Sequence, residues 1–468
     1  MGGNRAFSSL PSLSSILSDK SVAPLIGKYG KETVKLAARV LLEELRAKLE
    51  KEKVQPDRER LLAEVLGELP SRLESLMKPG PRWVINATGI VIHTNLGRAP
   101  LPKKAVEHLV EVASRYSDLE FDLETGSRGS RGVHVEALLR EIFGAEGAFV
   151  VNNNASAVLL VLAALARGRE VVISRGELVE IGGSFRIPEI MAESGAVLVE
   201  VGTTNKTRVG DYERAFSDAT ALFLKVHRSN FSIKGFTDEV SLDELSALGK
   251  KFNVPVVYDM GSGSVFDMSK FGFSGEEGVR KALLQGADLV TFSGDKLLGG
   301  SQAGIVVGRR DLIDVLKAHP LARVLRIDKL NLAALASLLT LYRDEKIAIR
   351  EIPVLKMLLA DERMLKKRAR WIAKKLKGKV GSFDVHVVED RAECGGGALP
   401  GVVLPTWCVA LRPVGKGLLE VARAFRDGNP PLIGRIKEGS FLIDLRTVFP
   451  EEDRIVVERA VEVDVRLG

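Results

Sequence analysis

Ala287-Asp-Leu-Val-Thr-Phe-Ser-Gly-Asp-Lys-Leu-Leu-Gly-Gly300 carries an apolar run straight into a glycine-flanked loop with one lysine, Lys296. Thirty-seven residues before that lysine, a second apolar run, Val254-Pro-Val-Val-Tyr258, ends on Asp259. Short runs of the same kind recur at Ala148–Val151, Glu170–Ile173, Val197–Val201, Leu222–Val226, Pro255–Tyr258, Leu289–Phe292 and Ile305–Val307, with helix-like stretches between them. Continuous apolar strands alternating with helices predict an α/β fold with a mainly parallel sheet covered on both faces. Such sheets bind ligands beyond the carboxyl ends of their strands. Asn152, Ser174, Thr203, His227, Asp259 and Ser293 all fall at or just past those ends, which predicts one shared site.

A lysine beside glycines is most often a solvated loop residue, and an aspartate at a strand end can be a turn former or a magnesium ligand. The ordered pair, each after a strand, fits a narrower requirement. Pyridoxal 5'-phosphate works as a catalyst when a lysine holds it covalently and an acid at its ring nitrogen keeps the ring cationic. Its phosphate needs backbone N–H donors at a helix N-terminus. Asn152-Asn-Asn-Ala-Ser-Ala157 ends a strand and enters the apolar helix Val158–Ala166, so Asn154, Ala155 and Ser156 are placed to supply them. The same residue types cap helices, and the two roles are compatible. Ser293 could add a hydroxyl from the lysine loop. No Gly-x-x-x-x-Gly-Lys-Ser/Thr motif occurs, which argues against a P-loop nucleotidase.

With 468 residues the chain has room for two or three domains. Its 45% apolar and 28% charged content is that of a globular protein in water, and no apolar run approaches the roughly 20 residues that span a bilayer. The net charge of +7 favours a polyanionic partner without demonstrating one. The N-terminus lacks a signal pattern, and the two cysteines, Cys394 and Cys408, offer neither metal-ligand spacing nor a disulfide framework. A cytoplasmic location is the expectation. A cysteine desulfurase-like enzyme would use the same cofactor but needs a nucleophilic cysteine on a mobile loop. Glu393-Cys-Gly-Gly and Trp407-Cys-Val read instead as contexts of structural cysteines.

Residues 1–70 form a helical region, with apolar residues at three- and four-residue steps over Thr33–Leu49 and Arg58–Leu69 and a weak basic excess. It reads equally as a bundle that only caps or dimerises. Pro70 and Lys-Pro-Gly-Pro at 78–81 mark its exit. A linker and large α/β domain follow over 71–330. A small α+β domain over 331–468 has helices at Leu330–Tyr342 and Asp361–Leu376 and strands near Val385–Val388, Thr406–Leu411 and Ser440–Leu445.

Three further segments stay open to two readings. Arg82–Arg98 packs Asn86, Thr88, His93, Thr94, Asn95 and Arg98 beside Gly89 and Gly97, as a half-buried strand with a turn or as backbone close to a ligand. Thr125-Gly-Ser-Arg-Gly-Ser-Arg-Gly132 could clamp an anion or be a solvated loop. Arg323 and Arg326 could share a helical face, and alone they read as surface arginines.

Taken together, the segments 86–98, 151–157, 175–188, 201–207, 225–231 and 293–304 give a close match to one family. The chain resembles bacterial selenocysteine synthases, the L-seryl-tRNA(Sec) selenium transferases, over nearly its whole length. Arg228 and Phe231 stand where the family pattern has Thr and commonly Tyr. The resemblance implies a fold-type-I pyridoxal phosphate enzyme with Lys296 bonded to the cofactor and Asp259 at its ring nitrogen. It implies conversion of seryl-tRNA(Sec) to selenocysteyl-tRNA(Sec) with selenophosphate, by β-elimination to a dehydroalanyl group on tRNA and addition of selenium. It places Arg98, Arg323 and Arg326 on selenophosphate, with Thr203, Thr204 and Asn230 nearby. It further implies tRNA binding by the N-terminal region and a large homo-oligomer, commonly a decamer, with sites shared between subunits. The nearest rival is a related pyridoxal-dependent lyase acting on a free amino acid or amino sugar phosphate.

Overall fold

The computed structural model describes residues 10–52, 57–181, 185–228, 230, 231, 233, 235–273 and 275–468. Parts of two motifs therefore lie outside the described residues: Gly182, Gly183 and Ser184 of the 175–188 segment and Ser229 of the 225–231 segment. So do residues 1–9 and 53–56 of the N-terminal region. The chain forms two compact units, Met1–Trp83 and Val84–Gly468.

The first unit is helical: Leu13–Ser18, Ala23–Tyr29, Lys31–Glu52 and Arg58–Met77. Val34, Ala37, Ala38, Leu41, Leu45 and Leu49 of one long helix pack on Leu61, Val65, Leu69 and Leu73 of the other. These three- and four-residue steps bury one stripe on each helix. The last helix does not stop at Pro70 as expected. It runs on to Met77, because Leu69 and Leu73 lie on one buried face and their burial offsets the hydrogen bond that a proline removes.

The second unit is built on a seven-stranded sheet: β1 (Gly147–Val151), β2 (Glu170–Ser174), β3 (Val197–Val201), β4 (Thr220–Val226), β5 (Val256–Gly261), β6 (Leu289–Ser293) and β7 (Gly304–Gly308). Its spatial order is β1-β7-β6-β5-β4-β2-β3. Six strands run parallel, and β7 runs antiparallel between β1 and β6. A parallel return needs a crossover of a dozen or more residues, usually with a helix; only residues 294–303 join β6 to β7, with no helix among them. Successive side chains bury on opposite faces. Val172, Phe223, Val256, Val290 and Ile305 enter one core, and Val171, Leu222, Val257, Leu289 and Val306 enter the other. That double burial is why the strands read as unbroken apolar runs.

Helix Lys329–Leu341 sends Leu332, Leu335, Leu338 and Leu339 into the core of this sheet. The separate C-terminal core begins later, at helix Glu362–Leu376, and takes in Ile85 and Ala87 from the start of the unit. The expected boundary at 330 therefore falls inside a helix packed on the large sheet. Strand Ile85–Asn86 pairs with Leu432–Ile433. The C-terminal sheet is four antiparallel strands, β8 (Phe383–Glu393), β9 (Val403–Pro413), β10 (Arg435–Lys437) and β11 (Ser440–Asp444), in the order β8-β9-β11-β10. Among the described residues no helix is long and apolar enough to cross a membrane.

Candidate active site

Strands β5 and β6 are neighbours, with Asp259 paired in register to Thr291. Asp259 is buried at 3% exposure. One of its oxygens, Oδ1, accepts hydrogen bonds from Asn154 Nδ2 at 2.8 Å and Thr291 Oγ1 at 2.9 Å. No described residue donates to Oδ2. Burial pushes this carboxyl up from its usual range, opposed by those two hydrogen bonds and by the charges of Lys296 and His227.

Lys296 follows β6 on a turn closed by bonds from Gly294 N–H to Ala303 O and from Gly299 N–H to Lys296 O. Gly299 sits at φ 72°, a left-handed geometry that suits glycine. Lys296 is itself buried at 4% exposure, and its ammonium has no hydrogen-bond or ion-pair partner among the described residues. Burial, and then the guanidinium of Arg98, depress its proton affinity. A Cβ placed on Gly261 would lie 3.8 Å from its Nζ, so the glycine end of β5 borders the amine. A buried amine without a partner, beside a buried acid with one free oxygen, fits a cofactor that needs both.

The turn from β1 into helix Asn154–Ala166 supplies the third element. Asn153 is the N-cap, and its side chain takes the backbone N–H of Ser156 at 2.9 Å. Capping therefore uses the Ser156 N–H that sequence reading offered to a phosphate. The N–H groups of Asn154 and Ala155, at the start of the helix, have no intrahelical acceptor, and the Ser156 hydroxyl is also available. Asn154 has a second duty that sequence reading missed, since its side chain fixes Asp259 across 105 residues of chain. Ser293 is buried at the end of β6, three residues before Lys296.

His227, just past β4, donates its backbone N–H to Asp259 O at 2.9 Å. Its Nε2 is buried without a hydrogen bond, 3.6 Å from the carboxylate of Glu276. Glu276 is almost fully buried and accepts from the Ser262 hydroxyl. Sequence patterning gave no sign of Glu276. Thr291 could have been found, because it shares a strand face with Ser293 in an otherwise apolar run.

Arg98 adopts φ 62° and places its guanidinium on Asp295, at 2.9 Å and 3.1 Å from the two oxygens. That puts it beside the lysine loop. Arg323 and Arg326 lie elsewhere, lining a pocket of about 290 Å³ that contains neither Arg98 nor Lys296. Thr203 and Thr204 are exposed, and the Thr203 hydroxyl donates to Lys206 O at 3.1 Å within its own turn. Asn230 is exposed and donates to Glu180 O at 2.8 Å. Neither loop brings these side chains onto Lys296. In the Arg82–Arg98 segment, Thr88 donates to Asn86 at 2.7 Å and Asn86 to Ile90 O at 3.0 Å, so both are spent on their own turn. Cys394 and Cys408 are buried, and burial pushes both thiols up, which removes the nucleophile a desulfurase needs.

The Asn154–Asp259 bond carries a prediction. Asn154→Ala leaves the buried acid with one donor, and a hydrogen bond to a charged group is worth about 1.5–3 kcal/mol. Cofactor affinity should fall by about tenfold or more in a titration of cofactor-free protein followed by absorbance. An unchanged affinity would separate Asn154 from the site.

A family model described as L-seryl-tRNA selenium transferase matches residues 84–449, and one described as selenocysteine synthase N terminal matches residues 7–46. The L-seryl-tRNA(Sec) selenium transferase of Aquifex aeolicus (strain VF5) is 50% identical over 426 residues, covering 91% of this chain and 92% of its own. The protein of the same name from Carboxydothermus hydrogenoformans is 47% identical over 446 residues, covering 95% of each. Among solved structures, a D-glucosaminate-6-phosphate ammonia-lyase superposes with a TM-score of 0.56 at 21% identity, over 83% of this chain and 99% of its own. That last likeness is one of fold.

Proposed function

The chain belongs to the L-seryl-tRNA selenium transferase family, and from that premise we propose that it converts L-seryl-tRNA(Sec) to L-selenocysteyl-tRNA(Sec) with pyridoxal 5'-phosphate as cofactor and selenophosphate as selenium donor. The observation that carries this reading is the partnerless buried amine of Lys296 beside the half-satisfied carboxylate of Asp259.

Bound pyridoxal phosphate supplies an electron sink for the pair left when the seryl Cα proton departs. Lys296 would anchor it and then hold and return that proton; burial and Arg98 lower the amine's proton affinity, the direction a base requires. Asp259, oriented by Asn154 and Thr291, holds the proton on the ring nitrogen. Asn154 and Ala155 N–H groups, with the Ser156 and Ser293 hydroxyls, receive the phosphate.

The seryl carboxyl is esterified to tRNA, so no arginine is needed to hold an amino acid carboxylate. Arg98, Arg323 and Arg326 serve instead a second, doubly charged anion, selenophosphate, with Thr203, Thr204 and Asn230 as neighbouring hydrogen-bond partners. Arg98 does not line the pocket of Arg323 and Arg326, and a site completed by a neighbouring subunit would bring the arginines to one anion. A homo-oligomer, a decamer as the family resemblance implies, is part of the same proposal, as is a cytoplasmic location.

The N-terminal helical unit binds the selenocysteine tRNA. Removing residues 1–83 should lower affinity for that tRNA by about a hundredfold, as loss of several phosphate contacts would, while the cofactor absorption persists. Retained tRNA affinity would refute the assignment. The reaction itself is tested by incubating the protein with seryl-tRNA(Sec) and selenophosphate and identifying the aminoacyl group after mild hydrolysis. Selenocysteine is expected, and recovery of serine alone would overturn the proposal.

A further inference from the structure

The glycine–arginine loop at 125–132 is largely exposed, but its Arg131 is half-buried and paired. Three arginines from two segments of the chain converge on one carboxylate, that of Glu120. Arg131 reaches its Oε1 through Nη2 at 2.8 Å and Nε at 3.2 Å, and Arg326 reaches the same oxygen through Nη1 at 2.9 Å. Arg128 approaches Oε2 at 3.3 Å. Arg131 is fixed further by a bond from Nη1 to Ile327 O at 2.6 Å. All four residues line the pocket that also holds Arg323, over an apolar wall of Phe149, Val150 and Leu332. Arg323 has no hydrogen-bond or ion-pair partner among the described residues. Lys317, at the rim, is neutralised by Glu136 at 2.5 Å.

Four guanidiniums thus line a pocket that holds a single carboxylate; three of them reach it, and two share one of its oxygens. A carboxylate offers two acceptor oxygens in a plane. A tetrahedral oxyanion offers three or four in three dimensions, with a second charge, and so can engage more of these arginines at once. We propose that Glu120 is an exchangeable counter-ion, displaced from Arg326 by an incoming doubly charged tetrahedral oxyanion that Arg128 and Arg131 then help Arg323 and Arg326 to hold. This rests on the reading of Arg323 and Arg326 as anion-binding residues. Glu120 sets a threshold: an ion with one charge gains little by replacing a carboxylate that is already paired, whereas a dianion gains the additional contacts. Arg128 and Arg131 thereby become specificity-determining residues.

The test is calorimetric titration of the holoprotein with inorganic phosphate at fixed pH and salt, on the parent and on Glu120→Gln, Arg131→Met and Arg323→Met. Glu120→Gln keeps the shape and removes the competing charge, so phosphate should bind about tenfold tighter, the effect of roughly one charge pair. Arg131→Met should bind about tenfold more weakly; since Arg131 also ties Ile327, Glu120→Gln decides the matter if that variant does not fold. Phosphate affinity in folded Glu120→Gln that is equal to or below the parent's overturns the inference. If Arg323→Met leaves phosphate binding unchanged, the anion-site reading itself fails; if it weakens binding while Glu120→Gln does not tighten it, only the counter-ion role fails. Affinity for the selenocysteine tRNA should be the same in Glu120→Gln and the parent. Tighter tRNA binding with unchanged phosphate binding would mark an RNA backbone phosphate as the occupant and overturn the assignment to a free oxyanion.

Discussion

Lys296→Met is expected to lose turnover by at least about a thousandfold, since it removes both the covalent anchor and a base worth about 10²–10⁴ by itself. The methionine keeps an unbranched chain of similar length, so the effect is chemical rather than a packing defect. The same substitution should stabilise the cofactor-free protein at neutral pH. The amine of Lys296 is depressed by burial and by Arg98, so the folded state disfavours its charged form. Stability linked to such a group is present above the ordinary lysine value, about 10.4, and is lost as pH falls through the depressed folded value. Thermal melts of cofactor-free protein should therefore show the variant above the parent near neutrality, with the gap closing as pH approaches the ordinary lysine range. Normal turnover with an unaltered cofactor absorption band in Lys296→Met would contradict the role assigned to this residue.

Asp259→Asn should be nearly as damaging, by about a hundredfold to a thousandfold in turnover. The amide still accepts from Asn154 and Thr291, so the local geometry survives. What disappears is the negative charge that keeps the ring nitrogen protonated and the ring able to take up electrons. Here the linkage has the opposite sign. Burial raises this carboxyl above its unfolded value, so its contribution to the stability of the cofactor-free protein is full at low pH and is lost as pH rises through the raised value. Asp259→Asn should flatten that decline and melt higher than the parent near neutrality, while binding the cofactor more weakly. A variant that melts lower than the parent at neutral pH and keeps full turnover would mean that Asp259 is a structural acid only.

The seven strands and the order of Asp259 and Lys296 were readable because strands buried on both faces leave unbroken apolar runs, and because the two polar residues interrupt the chain where those runs end. The direction of β7 was not marked by residue type; it follows from how little chain joins Ser293 to Gly304. The bond from Asn154 to Asp259 was hidden for a related reason. It depends on β1 and β5 both sending their carboxyl ends to the same edge of the sheet, with β7 and β6 between them, and a local pattern holds no record of that order. Pro70 misled because a proline weakens a helix locally, while the stripe from Leu61 to Leu73 is buried as a whole. The glycine–arginine loop could not be decided without Glu120. An arginine's environment is set by the acid that meets it in space, and for Arg326 that acid is 206 residues away.

The most direct measurement is borohydride reduction of the purified holoprotein, followed by proteolysis and mass spectrometry of the peptide around Ser293–Gly300. A reduced pyridoxyl phosphate group on Lys296, absent from Lys296→Met, is the predicted result. The same group on a different lysine, or a yellow protein whose reduction leaves Lys296 unmodified, would contradict the assignment on which the proposed chemistry depends.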